Sequence, residues 1–239
     1  MVAGRRLTQL ARTGNQVLRP RDFHGTYANP WEEFARLTRT GVLVKLAHGY
    51  YLLVPEAQRG GYWAPAVEGV ALGIAVADYG RDAVALMGPA AARVLGVLPR
   101  ALATATVAVP RQRPALVTTA GRVHFVKRAV ERLDTQRATT DITTGWVTTP
   151  EQTVLDLADR PHLGGITPDT AAEAITTLAE RCDQTLVAQL ARAQRKRAAW
   201  QRYCWLLGLP SPTSRRDIPT YGLRGVGDPA AYGLETTAA

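Results

Sequence analysis

The stretch Asn29-Pro-Trp-Glu-Glu-Phe-Ala-Arg-Leu-Thr-Arg-Thr-Gly41, followed directly by Val42-Leu-Val-Lys-Leu-Ala-His-Gly-Tyr-Tyr-Leu-Leu-Val54, carries the strongest local signals in the chain. Asn29 suits an N-cap, because its side-chain oxygen can accept from an unpaired first-turn amide, and Pro30 suits the first helical position. Glu32 follows three residues after the cap, and Gly41 is the expected stop. The spacing predicts a helix over Pro30–Thr40 with Trp31, Phe34, Ala35 and Thr38 on an inner face. Glu32, Glu33, Arg36, Arg39 and Thr40 then share the outer face. Two β-rich runs flank His48-Gly49, a two-residue loop in which Gly tolerates the positive φ of a hairpin turn. Residues Val42–Val54 are therefore predicted to form a hairpin.

Working outward, helices are expected at Val2–Arg12 and Pro20–His24, ahead of this pair. Three short helices followed by a hairpin is the order of a winged helix-turn-helix. In that arrangement the third helix seats its apolar face on the first two and offers its other face to the major groove of DNA. The DNA-contacting candidates are Asn29, Arg36, Arg39 and Thr40 on the helix, with Lys45 and His48 on the wing. Glu32 and Glu33 oppose that reading electrostatically, although acids favour the first turn of any helix.

After the polar stretch Pro55–Gly61, read as a linker, the pattern is mixed. Helices are expected near Pro65–Asp78 and Pro89–Gly96, and strands near Ala83–Met87, Thr104–Val109, Arg122–Val126 and Gly145–Val147. Helices follow at Pro150–Asp159, Pro168–Asp183 and Gln184–Leu207. From Ser211 onward Pro, Gly, Ser and Thr dominate and periodicity is lost. The expectation is an α/β chain of the α+β kind: a winged helix over 1–56, a larger mixed α/β domain over 62–210, and a loop-like or disordered tail over 211–239.

The 239 residues carry a net charge of +9, supplied almost wholly by arginine. The pI of about 10.1 is a common footprint of nucleic-acid binding, although arginine-rich composition also follows from GC-rich coding. The densest basic run is Arg192–Arg202, in which Arg192, Arg195, Lys196, Arg197 and Arg202 are balanced by no acid at helical spacing. These five form a candidate second basic surface for a polyanion or an acidic partner protein, with Arg111, Arg113, Lys127 and Arg128 as possible extensions.

No P-loop, nucleophile elbow, zinc-protease motif or metal-spaced cysteine pair occurs, and the four histidines are scattered. Glu131, Asp134 and Asp141 are candidate metal ligands of a nuclease, but a lysine at nuclease spacing is missing. The chain is expected to be no enzyme, with no cofactor and no metal. Cys182 and Cys204 are expected to be ordinary buried thiols. No secretory signal and no membrane span is evident, so a cytoplasmic location is expected.

The run Arg36-Leu-Thr-Arg-Thr-Gly-Val-Leu-Val-Lys-Leu46, with Gly49-Tyr-Tyr-Leu-Leu-Val-Pro55, resembles the winged helix of AbiEi-type antitoxins. These are the antitoxins of bacterial pairs whose toxin is a nucleotidyltransferase. His48 departs from the arginine common before this Gly. The second resemblance is Val147-Thr-Thr-Pro-Glu-Gln-Thr-Val-Leu-Asp-Leu157, followed by His162-Leu-Gly-Gly165, to that family's Pro-Glu helix start and Gly-Gly turn. Physically, Thr149-Pro-Glu-Gln152 reads as a capping box, and Asp156 is expected to be partly buried and hydrogen-bonded.

The resemblance implies an antitoxin that represses its own promoter through the winged helix and counters the toxin with its larger domain. Double-stranded promoter DNA and the cognate toxin are the implied partners. Direct toxin contact is left open, and a monomer or weak dimer, with two copies on DNA, is expected. The alternative from another class is a stand-alone winged-helix regulator whose second domain binds an effector.

Overall fold

The computed structural model describes residues 14–61 and 63–210. The expected helix Val2–Arg12 and the tail 211–239 lie outside them. The described residues form an α+β fold with two sheets. The smaller sheet has the order β1-β3-β2, from β1 (Val17–Leu18), β2 (Leu43–Ala47) and β3 (Tyr50–Leu53). The hairpin β2–β3 turns at Gly49, whose φ of +80° explains the glycine.

Helix α1 (Pro30–Arg39) begins as its cap chemistry predicts: Asn29 Oδ1 accepts from the Glu32 amide at 3.3 Å. It ends in a paired turn, with Gly41 N–H donating to Thr38 O at 3.1 Å and Val42 N–H to Leu37 O at 3.0 Å. The inner face differs from the predicted one. Pro30, Phe34 and Leu37 are buried, whereas Trp31 and Ala35 are exposed. Phe34 decides the rotation, because its ring sits edge-on to Phe23 and to Tyr51, each at 5.2 Å between centroids. The expected helix at Pro20–His24 is a 3-10 turn over Pro20–Phe23.

The larger sheet has the order β6-β7-β5-β4-β9-β8. Its strands are β4 (Ala85–Leu86), β5 (Thr104–Val109), β6 (Leu116–Thr118), β7 (Gly121–Lys127), β8 (Thr135–Thr139) and β9 (Thr144–Thr148). The pairs β5/β7 and β4/β9 are parallel and the other three are antiparallel. Strands β1, β6 and β8 were not anticipated. They are short, or, like Thr-Gln-Arg-Ala-Thr, polar at a sheet edge, and neither hydrophobic alternation nor length marks them.

Helix α2 (Val67–Tyr79) lies against one sheet face, and every residue from Val67 to Ala75 is buried. Its Gly73 lets strand β1 approach closely: a Cβ there would stand 2.5 Å from Val17 Cγ2. Val17, Leu46, Tyr50 and Leu52 of the small sheet consequently share one apolar core with α2 and the large sheet. Asn15 Nδ2 donates to Gly73 O at 3.1 Å, and Thr119 N–H donates to Leu46 O at 2.9 Å across the same seam. The segment 55–61 is mostly exposed, and the parts it joins are packed together.

Helices α3 (Gly88–Val94), α4 (Pro150–Asp159), α5 (Pro168–Ala179), α6 (Gln184–Ala193) and α7 (Arg197–Leu206) contribute to a second core. The single helix expected over Gln184–Leu207 is two helices. The break falls at Arg195, which adopts φ +57° in a turn closed by Lys196 N–H to Ala191 O at 2.7 Å. This is the helix-ending geometry usually assigned to glycine, here imposed on arginine by the packing of α6 and α7 on α4. Among the described residues no helix is long and apolar enough to cross a membrane.

Candidate nucleic-acid interface

The predicted contact residues of the N-terminal module fall at the two ends of α1 and on the hairpin. Arg36 is not free: its Nε and Nη2 grip the Glu33 carboxylate at 2.9 and 2.7 Å. That pairing lowers the Glu33 pKa, chiefly through the hydrogen bond, and neutralises this part of the face. Arg39 and Thr40 are exposed at the C-terminal end, with Thr40 Oγ1 donating to Leu37 O at 3.1 Å. Asn29 is occupied as a cap, and its Nδ2 also donates to Glu32 Oε2 at 3.2 Å. Lys45 is exposed on β2.

His48, at the hairpin tip, stacks on Trp31 with 6.1 Å between ring centroids. Trp31 is therefore a surface residue of this face, 43% exposed, not the core anchor its spacing suggested. Sequence periodicity missed it because an aromatic residue at the start of a helix reads as core by composition alone.

The module is locked to the rest of the chain at Asp78, the penultimate residue of α2. Its Oδ1 accepts from Arg19 Nη1 at 2.6 Å and Arg21 Nη2 at 3.0 Å. Its Oδ2 accepts from the Tyr50 hydroxyl at 2.6 Å and from Arg113. The Arg113 guanidinium also lies 4.3 Å from the Phe125 ring centroid. Burial, helped by the bond to Asp78, raises the Tyr50 pKa. Arg113, expected to extend the second basic surface, is instead spent in this clasp. Arg111 is exposed and does not line the basic cleft described next.

The predicted basic run Arg192–Arg202 does not form one surface. Lys196 pairs with Asp159, and Arg202 donates to the Ala158 carbonyl at the end of α4. Arg192 and Arg197 are exposed and also engaged. The helix break at Arg195 gathers a different set. Lys127, Arg128, Arg132, Arg160, Arg195 and Lys196 line an open cleft of about 950 Å³. Three of these six, Lys127, Arg128 and Arg132, come from the end of β7 and the turn after it, far from the basic run in sequence.

Beneath the cleft is a buried polar network. Arg128 Nη2 donates to Gln194 Oε1 at 2.8 Å, and Gln152 Nε2 reaches Asp156 Oδ1 at 3.2 Å. Arg128 Nη1 lies 3.5 Å from the same carboxylate. Asp156 is thus buried and bonded as its place in the helix implied, but Oδ2 has no partner. Burial pushes its pKa up to about 6, against the opposing charge of Arg128. The capping box at this helix is half made: Thr149 Oγ1 accepts from the Gln152 amide at 3.3 Å. The Gln152 side chain turns inward to Asp156 and Gln194 rather than back to the cap.

The other candidate residues are structural in their surroundings. Asp134 accepts from the Thr149 hydroxyl at 2.7 Å, and Asp141 accepts from the Ala66 amide at 3.2 Å. Glu131 is exposed in a 3-10 turn whose first residue, Val130, is buried. Burial pushes the Cys182 thiol up to about 12, and burial raises Cys204 as well.

Comparison with known proteins adds to this geometry. No curated protein matches the sequence. A solved structure, the crystal structure of the RV2827C protein from Mycobacterium tuberculosis, is similar in fold. Its TM-score is 0.59 at 22% identity, over 86% of this chain and 76% of that one. The sequence model of the AbiEi antitoxin C-terminal domain matches residues 83–209. That span is more than half of the 239 residues and holds the basic cleft, the Asp156 network and the Gly164-Gly165 turn. The chain therefore belongs to the AbiEi antitoxin family, the antitoxin side of toxin–antitoxin pairs.

Proposed function

We propose that this antitoxin binds its own promoter DNA through the module spanning residues 14–54 and counters a nucleotidyltransferase toxin through its C-terminal domain. The observation that carries the DNA reading is the shared outer surface of α1 and the hairpin, joined by the Trp31–His48 stack. A winged helix presents a recognition helix and a wing to one duplex in this way. Arg39, Thr40 and Lys45 are exposed for phosphate or base contact, and Arg36 becomes available if phosphate displaces Glu33.

The cleft of Lys127, Arg128, Arg132, Arg160, Arg195 and Lys196 supports a second phosphate-binding surface. Cations that neutralise phosphates release counterions, so affinity should fall steeply with salt. The family's antitoxin role supports the toxin reading, with the nucleotidyltransferase as its proposed target.

The test is a band-shift with a fragment of the chain's own promoter. Substituting Arg36→Ala and Arg39→Ala together should abolish the shift while circular dichroism stays native. An unchanged shift would overturn the recognition-helix assignment. Growth rescue on co-expression with a neighbouring toxin gene tests the second half, and absence of rescue by the full chain would reject it.

A further inference from the structure

A second cleft, of about 650 Å³, opens beside the basic one and shares Arg160 with it. One side is strand β7, where Arg122 and His124, two residues apart, point to the same sheet face. The other side is the turn after α4, with Arg160, Pro161, His162, Leu163, Gly164 and Gly165. Thr104, which is paired with Arg122 across β5/β7, lines the floor. Asp159 also lines it, but Lys196 holds that carboxylate, with Arg160 Nε at 3.7 Å.

The His-Leu-Gly-Gly motif builds this cleft. Gly164 adopts φ +71°, and a Cβ there would already touch Pro89 at 3.4 Å and Thr106 at 3.5 Å. The positive φ, which strains any residue with a side chain, is what favours glycine here, and the turn so formed brings His162 opposite His124 and Arg122. His162 stands at the start of the 3-10 turn but makes no capping bond with its side chain. Among the described residues, the side chains of Arg122, His124 and His162 have no hydrogen-bond or ion-pair partner. Three unpartnered nitrogen side chains and Arg160 thus converge on one concave space, with Pro161 and Leu163 as apolar wall.

We propose that this cleft is a nucleotide-binding site: Arg122, Arg160, His124 and His162 take the phosphate groups, and Pro161 and Leu163 face the base. Its volume falls in the range of small-ligand pockets, roughly 300–1,000 Å³, and a convex duplex would not enter it. Arginine and histidine donors on two walls suit the oxygens of a phosphate, which they bind by charge-assisted hydrogen bonds. The site lies in the C-terminal half and does not depend on the promoter-binding reading.

The chain has four histidines, which makes the test direct. His124 and His162 lie in the cleft, whereas His24 and His48 lie in the N-terminal module. ADP is titrated into the full chain while the imidazole C–H resonances are followed by NMR, with adenosine and sulfate as parallel arms. ADP should move the His124 and His162 signals saturably and leave His24 and His48 in place; adenosine should move none. Arg122→Ser and, separately, His162→Ala should weaken ADP by roughly tenfold or more, the loss expected of one charge-assisted bond. Arg132→Ala, in the neighbouring cleft only, should leave it unchanged, and Arg122→Lys should retain part of the affinity.

The proposal is overturned if ADP produces no saturable shift at millimolar concentration. It is equally overturned if all four histidines move alike, if sulfate reproduces the ADP response, or if Arg132→Ala weakens binding as much as Arg122→Ser.

Discussion

Asp78 Oδ1 stands 2.6 Å from Arg19 Nη1, and this contact ties the N-terminal module to the helix that backs the large sheet. The carboxylate is 7% exposed and accepts from three arginines and Tyr50. Replacing it leaves at least two partly buried guanidinium groups without their anion. Asp78→Ala should therefore cost about 3 kcal/mol or more, because removing one partner of a buried pair strands the other. Urea unfolding checks this; a loss below about 1 kcal/mol would mean that the clasp is not structural.

Phe34 is fully buried between Phe23 and Tyr51. Phe34→Ala should cost about 3–5 kcal/mol. Trp31→Ala, at an exposed position of the same helix, should cost under about 1 kcal/mol. The opposite ranking would restore the face predicted from periodicity.

The raised pKa of Asp156, about 6 against 3.8, has a definite sign. The folded state binds this proton more tightly than the unfolded state. Stability from this group is therefore fully present below pH 4 and is lost as pH rises through about 6, by on the order of 3 kcal/mol. Asp156→Asn should flatten that part of the profile. Denaturant midpoints measured from pH 4 to pH 7 for both proteins decide it, and an unaltered slope would assign the dependence to another group.

Arg195 holds a positive φ that glycine adopts freely. Arg195→Gly should leave stability unchanged or raise it by up to about 1 kcal/mol, and Arg195→Val should lower it. Because Arg195 lines the basic cleft, the DNA-binding reading proposed above predicts that Arg195→Gly also reduces the salt dependence of any promoter affinity. Thermal unfolding and a salt titration read the two effects separately.

Much of the fold is legible in local chemistry. The cap at Asn29, the stop at Gly41, the turn at His48-Gly49 and the strand Thr104–Val109 all depend on residues close in sequence, and each stands where its signals put it. So does helix α4, from Thr149 as cap to Asp159. The inner face of α1 is not legible in this way, because Trp31 and Phe34 are both large aromatic residues on the same helix. Only the aromatic neighbours Phe23 and Tyr51 select between them.

The candidate sites were less legible. Arg192–Arg202 is basic in sequence, but its charges are divided among Asp159, the Ala158 carbonyl, other contacts and solvent. Lys127, Arg128, Arg132 and Arg160 join Arg195 and Lys196 only because α6 ends at a left-handed arginine beside the end of β7. In the same way, Arg122 and His124 meet His162 only through a glycine turn laid on β5. By itself the sequence determined the elements and their caps, since those rest on interactions a few residues long. The tertiary structure alone decided which charges are neutralised and which remain facing a cleft, because an ion pair depends on distance in space and not on separation along the chain.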